Sequence, residues 1–80
     1  MKDKIGQELI DNDYVIYTPY SDGIVFSKVL EVNEERPTRV KIQQYSHVTA
    51  EESYTTHVGA KNLLVIPEYI FRQFKENCER

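Results

Sequence analysis

Five short runs of β-branched and aromatic residues, each cut off by turn-forming residues, point to a small sheet. The first is Tyr14-Val15-Ile16-Tyr17-Thr18, stopped by Pro19. Asp11-Asn12-Asp13 precedes it and favours a turn, because Asn and Asp side chains satisfy nearby backbone groups. Tyr20-Ser21-Asp22-Gly23 follows as a connection with Asp-Gly as its turn signal. A longer strand reads from Ile24 to Val32 and is broken by Asn33-Glu34-Glu35-Arg36-Pro37. Val40-Lys41-Ile42-Gln43-Gln44-Tyr45 then alternates apolar and polar, as a half-buried strand does. These two strands and their loop predict a meander hairpin.

The stretch 46–58 admits two readings. Thr49-Ala50-Glu51-Glu52 has the spacing of a capping box, so a helical turn could open there ahead of a strand. Ser53-Tyr54-Thr55-Thr56-His57-Val58 is expected to be a strand ended by Gly59. Leu63-Leu64-Val65-Ile66 is a short apolar strand whose composition suits burial on both faces. Pro67 fits the first position of a helix, where its missing N–H costs nothing. In the tail that follows, Ile70, Phe71, Phe74 and Cys78 fall on one stripe, and charged residues cover the rest.

Five strands and one terminal helix predict a mainly β fold: a small five-stranded antiparallel barrel with a C-terminal α-helix. Eighty residues make a single domain, with the barrel at about 5–66 and the helix at about 67–78. Closure would remove strand edges, which a chain this small tolerates badly. One cysteine, Cys78, cannot close an internal bridge, and this fits a reducing, cytoplasmic compartment. No stretch approaches the run of about 20 apolar residues that a membrane span requires.

Enzyme chemistry is not expected. Gly6, Gly23 and Gly59 stand alone, so no glycine-rich loop cradles a phosphate. His47, His57 and Cys78 match no usual metal spacing, and nothing sets a nucleophile beside a base. No catalytic residue, metal or cofactor is therefore assigned.

Charge and aromatic content are more informative. The chain has ten basic and thirteen acidic residues, a formal net charge of −3, which disfavours tight non-specific polyanion binding. The charge is segregated, however: no acid occurs from Arg36 to Ala50, a stretch that holds Arg36, Arg39 and Lys41. If Val40 and Ile42 point inward, Arg39, Lys41, Gln43 and Tyr45 share the opposite face, the best candidate binding stripe. Six tyrosines suit an interface, since tyrosine buries area at low entropy cost and keeps a polar tip. With Val15 inward, Tyr14 lies outside the barrel or beneath the terminal helix.

The stretch Ile5-Gly6-Gln7-Glu8-Leu9, followed by Asp13-Tyr14-Val15-Ile16-Tyr17, resembles the opening of Src-homology-three-like small barrels of the KOW and Tudor type. Gly23-x-Val25 and the closing Asn62-Leu63-Leu64-Val65-Ile66-Pro67 continue the resemblance, so that it covers roughly residues 5–67. It implies a barrel that binds nucleic acid, protein surfaces, peptides or methylated side chains. By the same resemblance Tyr20 and Phe26 would complete a Tudor-like aromatic patch. The acidic balance and the missing glycine-rich basic loop depart from the KOW pattern. The chain also resembles small accessory proteins of tailed phages, which are similarly compact and rich in Tyr, Glu and Lys.

The function expected from these residues is that of a binding module for a larger protein, an adaptor or inhibitor. Its interface would combine tyrosines with an acidic rim at Asp11, Asp13, Asp22, Glu34 and Glu35. The alternative is a nucleic-acid-binding or transcription-associated barrel that uses Arg36, Arg39 and Lys41, with Tyr45 stacking on a base. A homodimer through a strand edge or through the Ile70/Phe71/Phe74 stripe is a third possibility, and no membrane partner is expected.

Overall fold

The computed structural model describes residues 1–18 and 23–78. Its five strands are β1 (Tyr14–Tyr17), β2 (Val25–Glu31), β3 (Val40–Tyr45), β4 (Glu52–Val58) and β5 (Leu63–Val65). A 3₁₀ turn, Ala60–Asn62, leads into β5, and α1 (Glu68–Cys78) ends the described chain. All strands lie in one antiparallel sheet of order β4-β3-β2-β1-β5. The sheet is open: β4 and β5 are its two edges and do not pair, so the expected closure into a barrel is not seen. No described helix is long and apolar enough to cross a membrane.

Alternation along the strands separates two faces. Val15, Val29, Val40, Ile42, Val58 and Leu63 turn to one side and form a core with Leu9 from the N-terminal segment and Ala60 from the 3₁₀ turn. The register carries this face across the sheet, setting Val29 opposite Ile42 and Val40 opposite Val58. On the other face Tyr14 stands in register with Lys28, and Lys28 with Gln43. α1 packs on this second face at the Tyr14 end, seating Phe71 in a nest of rings. Phe71 stacks on Tyr14 at 4.2 Å and meets Tyr45 edge-on at 4.9 Å, while Phe74 stacks on Phe26 at 4.1 Å. The predicted stripe is therefore the docking face of the helix, and Tyr14 lies under it.

Ser27 sits in the first core, wholly buried beside Val15 in the register, and its Oγ has no hydrogen-bond partner. Ser27→Ala removes that unmet hydroxyl without opening a large void. It should leave stability unchanged or raise it by about 1 kcal/mol, read as a higher urea midpoint at constant slope.

Two local readings need correction. Thr49 opens no helical turn, although its Oγ1 does accept the Glu51 N–H at 3.3 Å. The turn belongs to Ser46, whose Oγ accepts the N–H groups of Val48 and Thr49 at 3.2 and 3.3 Å while its carbonyl accepts the Ala50 N–H. Ala50 takes a positive φ of 59° to close this turn, so Glu51 and Glu52 are already committed to extended chain. β5, expected to be buried on both faces, is an edge strand in which Leu63 is buried and Leu64 and Val65 are half-buried.

The outer side of β5 is closed instead by the N-terminal loop. Lys4 N–H donates to the Leu63 carbonyl at 2.8 Å, and Val65 N–H donates to Asp3 Oδ2 at 2.8 Å. The Gln7 side-chain amide donates to the Val65 carbonyl at 3.1 Å. Asp3 also organises the loop itself, since Oδ1 accepts the N–H groups of Ile5 and Gln7 at 3.1 and 2.7 Å. Gly6 completes the turn at φ 85°, a conformation that a residue with Cβ rarely adopts.

Candidate functional site: a cation cluster at the end of β2 and β3

The connection between β2 and β3 is built from successive turns. Asn33 Oδ1 accepts the Glu35 N–H at 3.0 Å, Asn33 O accepts Arg36 N–H at 2.9 Å, and Arg36 O accepts Arg39 N–H at 3.0 Å. Ala60 N–H donates to Pro37 O at 2.8 Å, which fastens the loop to the segment after β4. Asp11 Oδ1 accepts Val32 N–H at 2.9 Å and holds the loop's other end. Arg36 and Arg39 thus project from a braced loop rather than a free one.

Strand register supplies the remaining groups. Lys41 pairs with Glu31 on β2 and with His57 on β4, so these three side chains stand in a row on the face away from the core. Arg36, Arg39, Lys41, His57, Asn33 and Glu31 line a cleft of about 220 Å³. Among the described residues, none of the three cations forms an ion pair. Of the two acids just before Arg36, Glu34 is engaged elsewhere, its Oε1 accepting a hydrogen bond from the Met1 amine at 3.0 Å, and Glu35 is exposed outside the cleft lining. With Glu31 the only carboxylate in the lining, the cleft is cationic although the chain as a whole is acidic.

The expected binding stripe is therefore divided. Arg36, Arg39 and Lys41 come together, joined by His57 and Asn33, which sequence reasoning had not placed with them. Their contribution depends on cross-strand register, and no local signal announces it. Gln43 lies next along β3, half-buried, with its side-chain amide donating to the Gln44 carbonyl at 3.0 Å. Tyr45 belongs to the helix contact. Burial raises its phenol pKa above the ordinary 10.0, with smaller contributions from Glu52 and Tyr14. Phe26 is likewise occupied by Phe74 and does not present a free ring for an aromatic patch. It lies five residues before Glu31 on β2, roughly 17 Å from the cation end at strand rise. Tyr20 lies outside the described residues.

The expected acidic rim is also largely structural. Asp11 and Asp13 accept the backbone N–H groups of Val32 and Ile10, and Glu34 binds the amine. Glu35 is exposed, and Asp22 lies outside the described residues. Of the described tyrosines, Tyr54 and Tyr69 are left exposed, each at 63%. His47 is exposed in the β3–β4 turn and His57 on β4, as expected.

No known family model, curated protein or solved structure matches the chain. Its site has to be read from its own geometry.

Proposed function

We propose that this chain is a non-enzymatic binding module that holds a larger protein, as an adaptor or inhibitor, by gripping an acidic segment of it. The observation that supports this most directly is the gathering of Arg36, Arg39 and Lys41, without ion-pair partners among the described residues, around a cleft on a braced loop. Guanidinium groups suit carboxylates because their paired N–H donors match the two oxygens. Unpaired cations on an acidic chain also favour an oppositely charged partner and speed its encounter.

Nucleic acid is the second reading, because the same cations would serve phosphates. Its weakness is Tyr45, the ring expected to stack on a base, which is held against Phe71. The two readings separate in one titration. A glutamate-rich peptide should shift the amide NMR signals of residues 33–41 and 57, and the double reversal Arg39→Glu with Lys41→Glu should weaken binding by about tenfold or more. Arg39 is exposed, whereas Lys41 is half-buried opposite Glu31, so the reversal should cost folding about 1 kcal/mol at most. Single- and double-stranded oligonucleotides that bind more tightly than the peptide, with a steep salt dependence, would favour the nucleic-acid reading. A spectrum unmoved by either probe would overturn the site.

A further inference from the structure

The two edges of the sheet are finished differently. Along β5, the Asp3–Gln7 loop engages the Leu63 carbonyl, the Val65 N–H and the Val65 carbonyl in turn. β4 is hydrogen-bonded to β3 on one side, and among the described residues no segment lies along its other side. Exposed edges are usually blunted by lysine, proline or bulges. Residues 53–58, Ser-Tyr-Thr-Thr-His-Val, contain no lysine, arginine, proline or carboxylate. One irregularity does occur, where the register slips between Gln43–Thr55 and Tyr45–Glu52. It leaves Thr55, Thr56, His57 and Val58 in regular register with β3.

We propose that β4 is a self-association strand that pairs antiparallel with β4 of a second copy of this chain. The charge pattern selects both the occupant and the direction. β4 starts at Glu52, preceded by Glu51, and ends beside two lysines: Lys41 next to His57 in register and Lys61 in the turn beyond. Antiparallel pairing sets the acidic start of each strand against the basic end of the other, twice over by symmetry. Parallel pairing would set acid on acid. Between these ends the strands meet through Thr, Tyr and Ser, and Thr–Thr and aromatic–Thr cross-strand pairs are favourable. Because β5 is already covered, a two-fold β4–β4 contact consumes the open edge and closes the assembly instead of propagating a fibre.

The inference rests on edge hydrogen bonding and stands apart from the acidic-ligand reading. Its test is light scattering and sedimentation of the full chain over a micromolar to sub-millimolar series, with amide hydrogen exchange on β4. The expected result is a monomer–dimer equilibrium with β4 amides protected in the dimer. Thr55→Lys, an exposed change that brings two like charges together near the axis, should weaken dimerisation at least about tenfold. Glu51→Lys with Glu52→Lys should weaken it as well, and adding Lys61→Glu should recover part of the loss. Monomer mass at every concentration overturns the proposal. So does a dimer that survives Thr55→Lys with fast-exchanging β4 amides. A monomer that still binds the glutamate-rich peptide removes this inference alone, whereas a dimer indifferent to the peptide removes only the ligand reading.

Discussion

Replacing Phe71 with alanine is expected to cost about 3–5 kcal/mol, a large part of the roughly 4–12 kcal/mol that a domain of this size has available. Phe71 is the one buried residue of α1 and the centre of its contact with the sheet. Its ring meets Tyr14, Tyr45, Phe26 and Phe74, the nearest with centroids 4.2 Å apart. An eleven-residue helix is too short to persist unsupported in water, so losing this anchor should release it. Far-UV helical signal should fall, near-UV tyrosine signal should flatten, and the melting midpoint should drop by about 15–30 °C. Phe71→Leu keeps most of the buried volume and should cost much less. A Phe71→Ala protein within about 1 kcal/mol of the parent would show that α1 contributes little to the fold.

Much of this architecture was legible in the sequence because it rests on local signals. The alternation at 40–45 gave β3 with its bounds, and the branched run at 14–18 gave β1, one residue too long. Asp11-Asn12-Asp13 forms the turn it promised: Asn12 takes φ 72°, and Asp13 Oδ2 accepts the Ile10 N–H at 3.0 Å. The helix stripe was equally local, and the helix starts at Glu68, one residue after the expected Pro67. The open sheet was not legible, since closure depends on strand length and curvature rather than on which residues alternate. β5 has three residues and spends one side on β1, and its other side met a loop before it could meet β4. Nor was the Ser46 turn, which opens three residues before the expected cap at Thr49 and which only the geometry of the β3–β4 connection decides.

The site shows the same division. Arg36, Arg39 and Lys41 were readable as a stretch free of acid, and that neighbourhood is preserved in space because one braced loop and one strand carry it. His57 and Asn33 join through register and turn geometry. Phe26 and Tyr45 were assigned to a ligand because outward-facing aromatics on a strand look the same whether a partner or the chain's own helix covers them. α1 covers them here, and this shifts weight from rings to charges in any account of binding.

Asp3 gave the least warning and should have the second largest effect. A carboxylate three residues before a glycine is a common turn signature, yet nothing in that signature says it will fasten a distant strand. Burial pushes its pKa upward, but hydrogen bonds from the N–H groups of Val65, Gln7 and Ile5 and from the Gln7 amide outweigh this and hold it below the ordinary 3.8. Asp3→Ala strands those donors and uncovers β5, and should cost about 2–3 kcal/mol near neutral pH. The sign of the pH effect follows from the lowered pKa. The carboxylate's stabilisation is fully present above about 3.8, where the unfolded chain also ionises, and is lost as pH falls through the lower folded value. The stability gap between parent and Asp3→Ala should therefore be widest at neutral pH and shrink as pH falls below 3.8. Asp3→Asn should fall between the two, because an amide keeps one acceptor and turns a donor toward N–H groups that already donate. Urea denaturation of the three proteins across that range measures the gap, and a gap that does not change with pH would show that the carboxylate's charge plays no part in holding β5.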